Sequence, residues 1–123
     1  MNVQVRNLEK ISILDCLGDV DLSSSPRLRE ALVAEIRAEG PSVLVNMSGV
    51  SYIDSSGIAA LVEGLQLSRQ TKTRFGLFGL QPNARSVLEL ARLHRVFTIF
   101  ESEAEAVEKI GSTQPFSGVR RAQ

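Results

Sequence analysis

The sequence predicts an α/β fold: one domain with a mixed, mainly parallel sheet of about five strands, an N-terminal hairpin at its edge and about four helices. Three observations carry that expectation. The run Val43-Leu44-Val45-Asn46-Met47 has the near-continuous hydrophobicity of a strand covered on both faces. Segments on both sides of it repeat apolar residues at helical spacing. Strand-like and helix-like segments then alternate, and right-handed crossovers turn that order into helices lying over a parallel sheet.

In chain order, residues 2–6 and 11–17 are rich in Val, Ile and Leu around a polar break at Asn7 to Lys10, the pattern of a hairpin. Gly18-Asp19-Val20-Asp21 punctuates the chain, and Ser25 before Pro26 is placed to cap a helix whose first position is Pro26. Leu28, Leu32 and Ile36 give that helix its stripe, and Gly40-Pro41 ends it. Val43 to Met47 is the expected central strand. After the turn Asp54-Ser55-Ser56-Gly57, the residues Ile58, Leu61, Val62 and Leu65 form one inward stripe, while Ala59, Ala60 and Gly64 fall off it. Those small residues read equally as a low docking ledge or as plain helix propensity.

A polar turn over Arg69 to Arg74 leads to a strand at Phe75 to Phe78, and a helix opens at Pro82 or Asn83 with Ala84, Val87, Leu88 and Ala91 inward. Val96 to Phe100 reads as a short last strand. Ser102 with Glu105 has the capping-box spacing before a helix carrying Ala106, Val107 and Ile110. The domain is expected to fill 1–110. From Gly111 the periodicity ends, and 111–123, with Pro115, Gly118 and Arg120-Arg121, is expected to be a flexible tail or an interaction extension.

At 123 residues and 43% apolar, the chain can bury a core without disulfides or a structural metal. The single Cys16 excludes an internal disulfide framework and points to a reducing, cytoplasmic setting, with Cys16 as packing. The first residues mix charges with apolar side chains, unlike a signal peptide, and no apolar run approaches membrane-spanning length. Fourteen basic residues balance fourteen acidic ones, so neither nucleic acid nor a membrane surface is expected as a direct partner.

In a doubly wound sheet, ligands and partners meet loops at the carboxyl ends of the strands, where Gly18 to Ser25, Ser48 to Gly57 and Gly79 to Asn83 should gather. Asp21 and Ser55 are then expected to be neighbours. The junction at Ser55 joins a buried strand to a helix N-terminus, where backbone N–H groups point outward and favour negative charge. From residue type alone, Ser55 reads first as a helix cap. Ser56 reads first as a first-turn hydroxyl and second as a further phosphorylation site, Asp54 as an orienting or turn-closing carboxylate, and Gly57 as a point of close backbone approach. A serine hydrolase is disfavoured because the one histidine, His94, lies far along the chain and no Gly-x-Ser-x-Gly elbow surrounds Ser55. One His and one Cys make a poor metal set, no Walker loop is present, and no cofactor is expected.

The segments Gly18-Asp19-Val20-Asp21, Val43 through Asp54-Ser55-Ser56-Gly57-Ile58, and Leu88 to Phe97 resemble a STAS domain, and more narrowly a bacterial anti-sigma factor antagonist. The match runs over roughly residues 3 to 110. The resemblance implies that Ser55 is the phosphoacceptor of an anti-sigma factor that is also a serine kinase of the histidine-kinase-like ATPase fold. It implies a cycle: the unphosphorylated form binds the anti-sigma factor and frees the sigma factor, phosphorylation ends binding, and a phosphatase resets the switch. Asp21 matches the family's acidic loop residue. Asp54, Ser56, Gly57, Ile58, Ala59 and Ala60 complete the implied partner surface. Arg92 stands where the family commonly has glycine, so a left-handed helix end there is either absent or strained. His94 stands where relatives often carry an acidic or small residue. The alternative is a STAS subunit of a membrane lipid-type ABC transport complex or a signalling scaffold, with the same turn packed against a partner ATPase.

Overall fold

The computed structural model describes residues 1–38, 40 and 42–111. Among them the order is β1 (Asn2–Leu8), β2 (Ile11–Leu17), α1 (Ser25–Arg37), β3 (Ser42–Gly49), α2 (Ser55–Thr71), β4 (Arg74–Phe78), α3 (Pro82–Leu90), β5 (Thr98–Phe100) and α4 (Glu103–Ile110). The strands lie side by side in chain order, β1 antiparallel to β2 and the rest parallel. This is the mixed α/β sheet, hairpin at one edge, that the sequence predicts. The expected tail over 112–123 and Pro41 lie outside the described residues.

β3 is central, as its apolar run requires. Val43, Val45 and Met47 pack towards α1 and α2, meeting Leu28, Leu32, Ile36, Leu61 and Leu65, while Leu44 packs on the other face with Phe78, Phe100, Ala106 and Ile110. Burying each such side chain contributes about 1.5–3 kcal/mol, which fixes the register of the strand that delivers the Ser55 turn. On the α4 face, Arg6 pairs with both Asp15 (2.5 Å) and Glu103 (2.8 Å), and Asn46 donates to Asp15 (2.7 Å), tying β1, β2, β3 and α4 together.

Four local expectations are corrected. The first is at α1, which opens one residue early with Ser24 at the cap position: Asp21 accepts from the amides of Ser23, Ser24 and Ser25 and winds the turn before Pro26. Ser25 is buried in the first turn and does not cap. Secondly, the expected turn at Arg69 belongs to α2, because polar residues continue its solvent face to Thr71. The helix stops at Lys72, left-handed at φ 59°, where the Thr73 amide donates to Ser68 O at 2.9 Å.

The third correction concerns the ledge. Ala60 and Gly64 are buried, because α2 packs on α1 as well as on the sheet and so buries a wider arc than one stripe. A Cβ on Gly64 would lie 3.2 Å from Leu32 Cδ1. Gly57 and Ile58 are buried too, which leaves Ala59 as the exposed residue of the three at 58–60. Lastly, β5 begins at Thr98 because the amides of Val96 and Phe97 both turn back to Leu93 O. Phe97 instead packs on Phe75, ring centroids 6.4 Å apart.

Arg92 does adopt the left-handed conformation, φ 61°, and the Leu93 amide reaches back to Leu88 O at 2.8 Å, so the α3 end is a Schellman-type cap carried by a residue with a Cβ. At Ser102 the expected cap forms with the Glu105 amide at 3.2 Å, although the Glu105 carboxylate accepts from the Glu101 amide and not from Ser102.

Candidate functional site

Beyond the carboxyl ends of β2 and β3 the two chain segments touch once more. Val20 and Ile53 form an isolated parallel bridge: the Val20 amide donates to Tyr52 O at 2.9 Å, and the Asp54 amide donates to Val20 O at 3.0 Å. Asp21 and Asp54, the next residues on each segment, are thereby brought side by side. The third loop joins them, with Asn83 Oδ1 accepting from the Ile53 amide at 2.8 Å and Gln81 Nε2 donating to Ser48 O at 2.6 Å. All three loops expected to gather therefore do so.

The bridge demands a glycine at position 57. A Cβ there would stand 2.5 Å from Ile53 Cγ1 and 2.6 Å from Val20 Cγ1, closer than real carbons approach, so α2 starts against the bridge only because Gly57 lacks a side chain. Its role is backbone approach, as the sequence suggests.

Asp54 is the cap of α2. Its Oδ1 accepts from the Ser56 amide (2.9 Å), the Ser56 hydroxyl (2.6 Å) and the Gly57 amide (3.2 Å). The cap reading of Ser55 is therefore overturned: an aspartate one residue earlier, in extended conformation at φ −104° and ψ −172°, already satisfies the first amides. Ser55 is the first helical residue, exposed, and its hydroxyl takes no hydrogen bond among the described residues. Ser56 is half-buried and spent on Asp54.

Asp21 is held in the same way. Its Oδ1 accepts from the Ser23 amide (3.0 Å), the Ser23 hydroxyl (2.7 Å) and the Ser24 amide (3.2 Å). The Ser56 hydroxyl, with the Gly57 and Ser56 amides, keeps the Asp54 carboxyl below its ordinary range against partial desolvation and the charge of Asp21. The Ser23 hydroxyl, with the Ser23 amide and Ser24, does the same for Asp21. Both are ionised at neutral pH. Burial, with a smaller contribution from Asp15, pushes the Cys16 thiol up to about 12, which keeps it a packing group.

The histidine that a Ser-His pair needs is not beside Ser55. The near end of α3 touches Ile53 through Asn83, and His94 lies beyond its far end, nine residues or about 13 Å along the helix. Among the described residues no three His, Cys, Asp or Glu converge as a metal site requires, and no helix is long and apolar enough to cross a membrane. A groove of about 760 Å³ lined by Ile36, Arg37, Leu67 and Lys72 lies at the C-terminal ends of α1 and α2, away from Ser55.

The family model for the STAS domain matches residues 2–106. The chain belongs to the STAS domain family. This STAS domain is 28% identical over 105 residues, 85% of its length and 91% of the relative's, to a Listeria monocytogenes protein named anti-sigma-B factor antagonist. A solved anti-sigma factor antagonist from Mycobacterium paratuberculosis superposes with a TM-score of 0.81 at 22% identity, over 89% of this chain and 93% of that one. The unphosphorylated form of the anti-sigma factor antagonist SpoIIAA superposes at 0.77 with 18% identity, over 91% and 98%. At such identities these structures establish the fold.

Two exposed side chains on this edge were missed in the sequence: Leu22, directly after Asp21, and Tyr52, just before the bridge. The signal was a large side chain with apolar surface in each loop, at Asp21-Leu22-Ser23 and Ser51-Tyr52-Ile53-Asp54.

Proposed function

We propose that this STAS domain is an anti-sigma factor antagonist whose phosphoacceptor is Ser55. In the unphosphorylated state it binds an anti-sigma factor that is also a serine kinase and so releases a sigma factor; a serine phosphatase reverses the modification. It works in the cytoplasm as a binding protein and not as an enzyme. The observation that carries this reading is the division of labour in the Asp54 turn, where Asp54 caps the helix and Ser56 holds Asp54, leaving the Ser55 hydroxyl exposed and unspent.

The chemistry follows from the surroundings. A phosphate brings about −1.5 to −2 charges, and the helix N-terminus tolerates them, so the fold survives modification. Two ionised carboxylates already stand beside Ser55, and a third anion there opposes any partner that docks by matching them. Asp21, Asp54, Ser56 and Ala59 form the outer contact surface. Gly57, Ile58 and Ala60 support it from beneath.

Incubation with a purified anti-sigma kinase of the source organism and ATP, followed by peptide mass spectrometry, is expected to place phosphate on Ser55. Ser55→Asp is expected to lose the complex. Phosphate confined to other residues, or undiminished binding by Ser55→Asp, rejects the mechanism.

A further inference from the structure

We propose that Leu22 and Tyr52 are the apolar anchors of the partner interface, and that the anti-sigma partner offers them an apolar recess flanked by cationic groups for Asp21 and Asp54. This rests on the antagonist reading above and adds to it where the affinity resides.

Leu22 is 77% exposed and Tyr52 45% exposed, on the two segments that the Val20–Ile53 bridge joins. Neither is a loose side chain on a slack loop. Leu22 is the residue after Asp21 in a turn locked by Ser23 and Ser24, as Ser55 is the residue after Asp54 in a turn locked by Ser56 and Gly57. The bridge sets Val20 opposite Ile53, which brings Leu22 into step with Ser55. Tyr52 lies on the other side of the bridge, its carbonyl accepting from the Val20 amide. The backbone that presents the anchors is thus ordered before any partner arrives, so little further freedom is lost on docking.

A leucine and a tyrosine held outward beside two carboxylates match the anatomy of a protein interface, with apolar side chains at its centre and charges at its rim. In such an interface the charges set orientation and association rate, while the buried anchors set how long the complex lasts. The arrangement also sharpens the switch: closing a partner over Leu22 and Tyr52 would strip water from a phosphate on Ser55.

To test this, the anti-sigma factors of the source organism are purified singly and titrated with wild type, Leu22→Ala, Tyr52→Ala, Ser55→Asp and Leu90→Ala. Leu90 is the control, 84% exposed at the far end of α3. Leu22→Ala and Tyr52→Ala are expected to lose about tenfold or more in affinity through faster dissociation, by the same factor at low and high salt. Leu90→Ala is expected to stay within about twofold. Leu22→Met should restore most of the loss, with unchanged unfolding midpoints showing that all variants fold. A wild type that binds none of the anti-sigma factors overturns the antagonist reading and the anchors with it. Binding abolished by Ser55→Asp but kept within about twofold by Leu22→Ala and Tyr52→Ala overturns the anchors alone. Wild-type self-association lost in Leu22→Ala also overturns them, since the patch would then serve a second copy.

Discussion

The turns that open α1 and α2 are built on one frame and end in different tips. In each, an aspartate oxygen accepts from the amide and hydroxyl of the serine two residues on and from the next amide: Asp21 with Ser23 and Ser24, Asp54 with Ser56 and Gly57. The residue between is left outside the bonding. At the first turn it is Leu22 and at the second Ser55. The difference teaches that one frame can hold two unlike side chains outward, an exposed leucine in one case and an exposed hydroxyl in the other.

The change expected to damage both turns most is Gly57→Ala. With Ile53 and Val20 carbons inside 2.6 Å of the added Cβ, the bridge must shift, and overpacking of this kind costs about 1–3 kcal/mol, measurable by urea denaturation. Stability equal to wild type would show that the two turns are not braced against each other. Next comes the frame against its tip. Asp54→Ala should lower the unfolding midpoint by loosening the first turn of α2, whereas Ser55→Ala and Leu22→Ala should each stay within about 0.5 kcal/mol of wild type. An equal loss from Ser55→Ala would return the capping role to Ser55.

The carboxylates sharpen the comparison through pH. Both are held below the ordinary value in the folded state, Asp54 first by the Ser56 hydroxyl and Asp21 first by the Ser23 hydroxyl. A lowered folded value means stability that is present above the unfolded value of about 3.9 and lost as pH falls through the folded one. Carbon-detected NMR titration should find both groups titrating below an ordinary aspartate. Asp21→Asn should lower the Asp54 midpoint further, because the charge of Asp21 raises it. No movement would mean the two turns do not sense each other's charge. The smallest effect is expected at Arg92, a turn of another kind and remote from both. Arg92→Gly relieves a left-handed residue with a Cβ, φ 61°, and should raise stability by about 0.5 kcal/mol or less without changing partner affinity.

Much of this architecture is legible in the chain because it is written in burial. Val43 to Met47 reads as a central strand since apolar residues on consecutive positions need cover on both faces, and Leu28, Leu32 and Ile36 read as one helical face. What the chain does not declare is how polar groups are shared among neighbours. Ser25 and Ser55 have the composition of caps, yet the Arg27 and Leu28 amides turn back to the Ser24 carbonyl, and at α2 the Asp54 carboxylate, one residue earlier than Ser55, accepts from the Ser56 and Gly57 amides at once. Periodicity likewise marks one stripe on α2 but says nothing of a second neighbour, so Ala60 and Gly64 read as surface although α1 covers them. Leu22 escapes notice for the opposite reason: periodicity rewards apolar residues that repeat, and this one stands alone.

The Val20–Ile53 bridge joins segments from the two ends of a crossover, so the surface it creates has no existence in any short stretch of chain. During synthesis, Val20 and Asp21 leave the ribosome ahead of β3 and the Asp54 turn, and the two halves meet only once the central strands have paired. A synthetic peptide spanning residues 50–62 carries Ser55 but none of the Asp21 side, and is expected to be a poor kinase substrate. Recognition of this surface is in effect a proof of completed folding, and a sigma factor released through it would answer only to finished molecules.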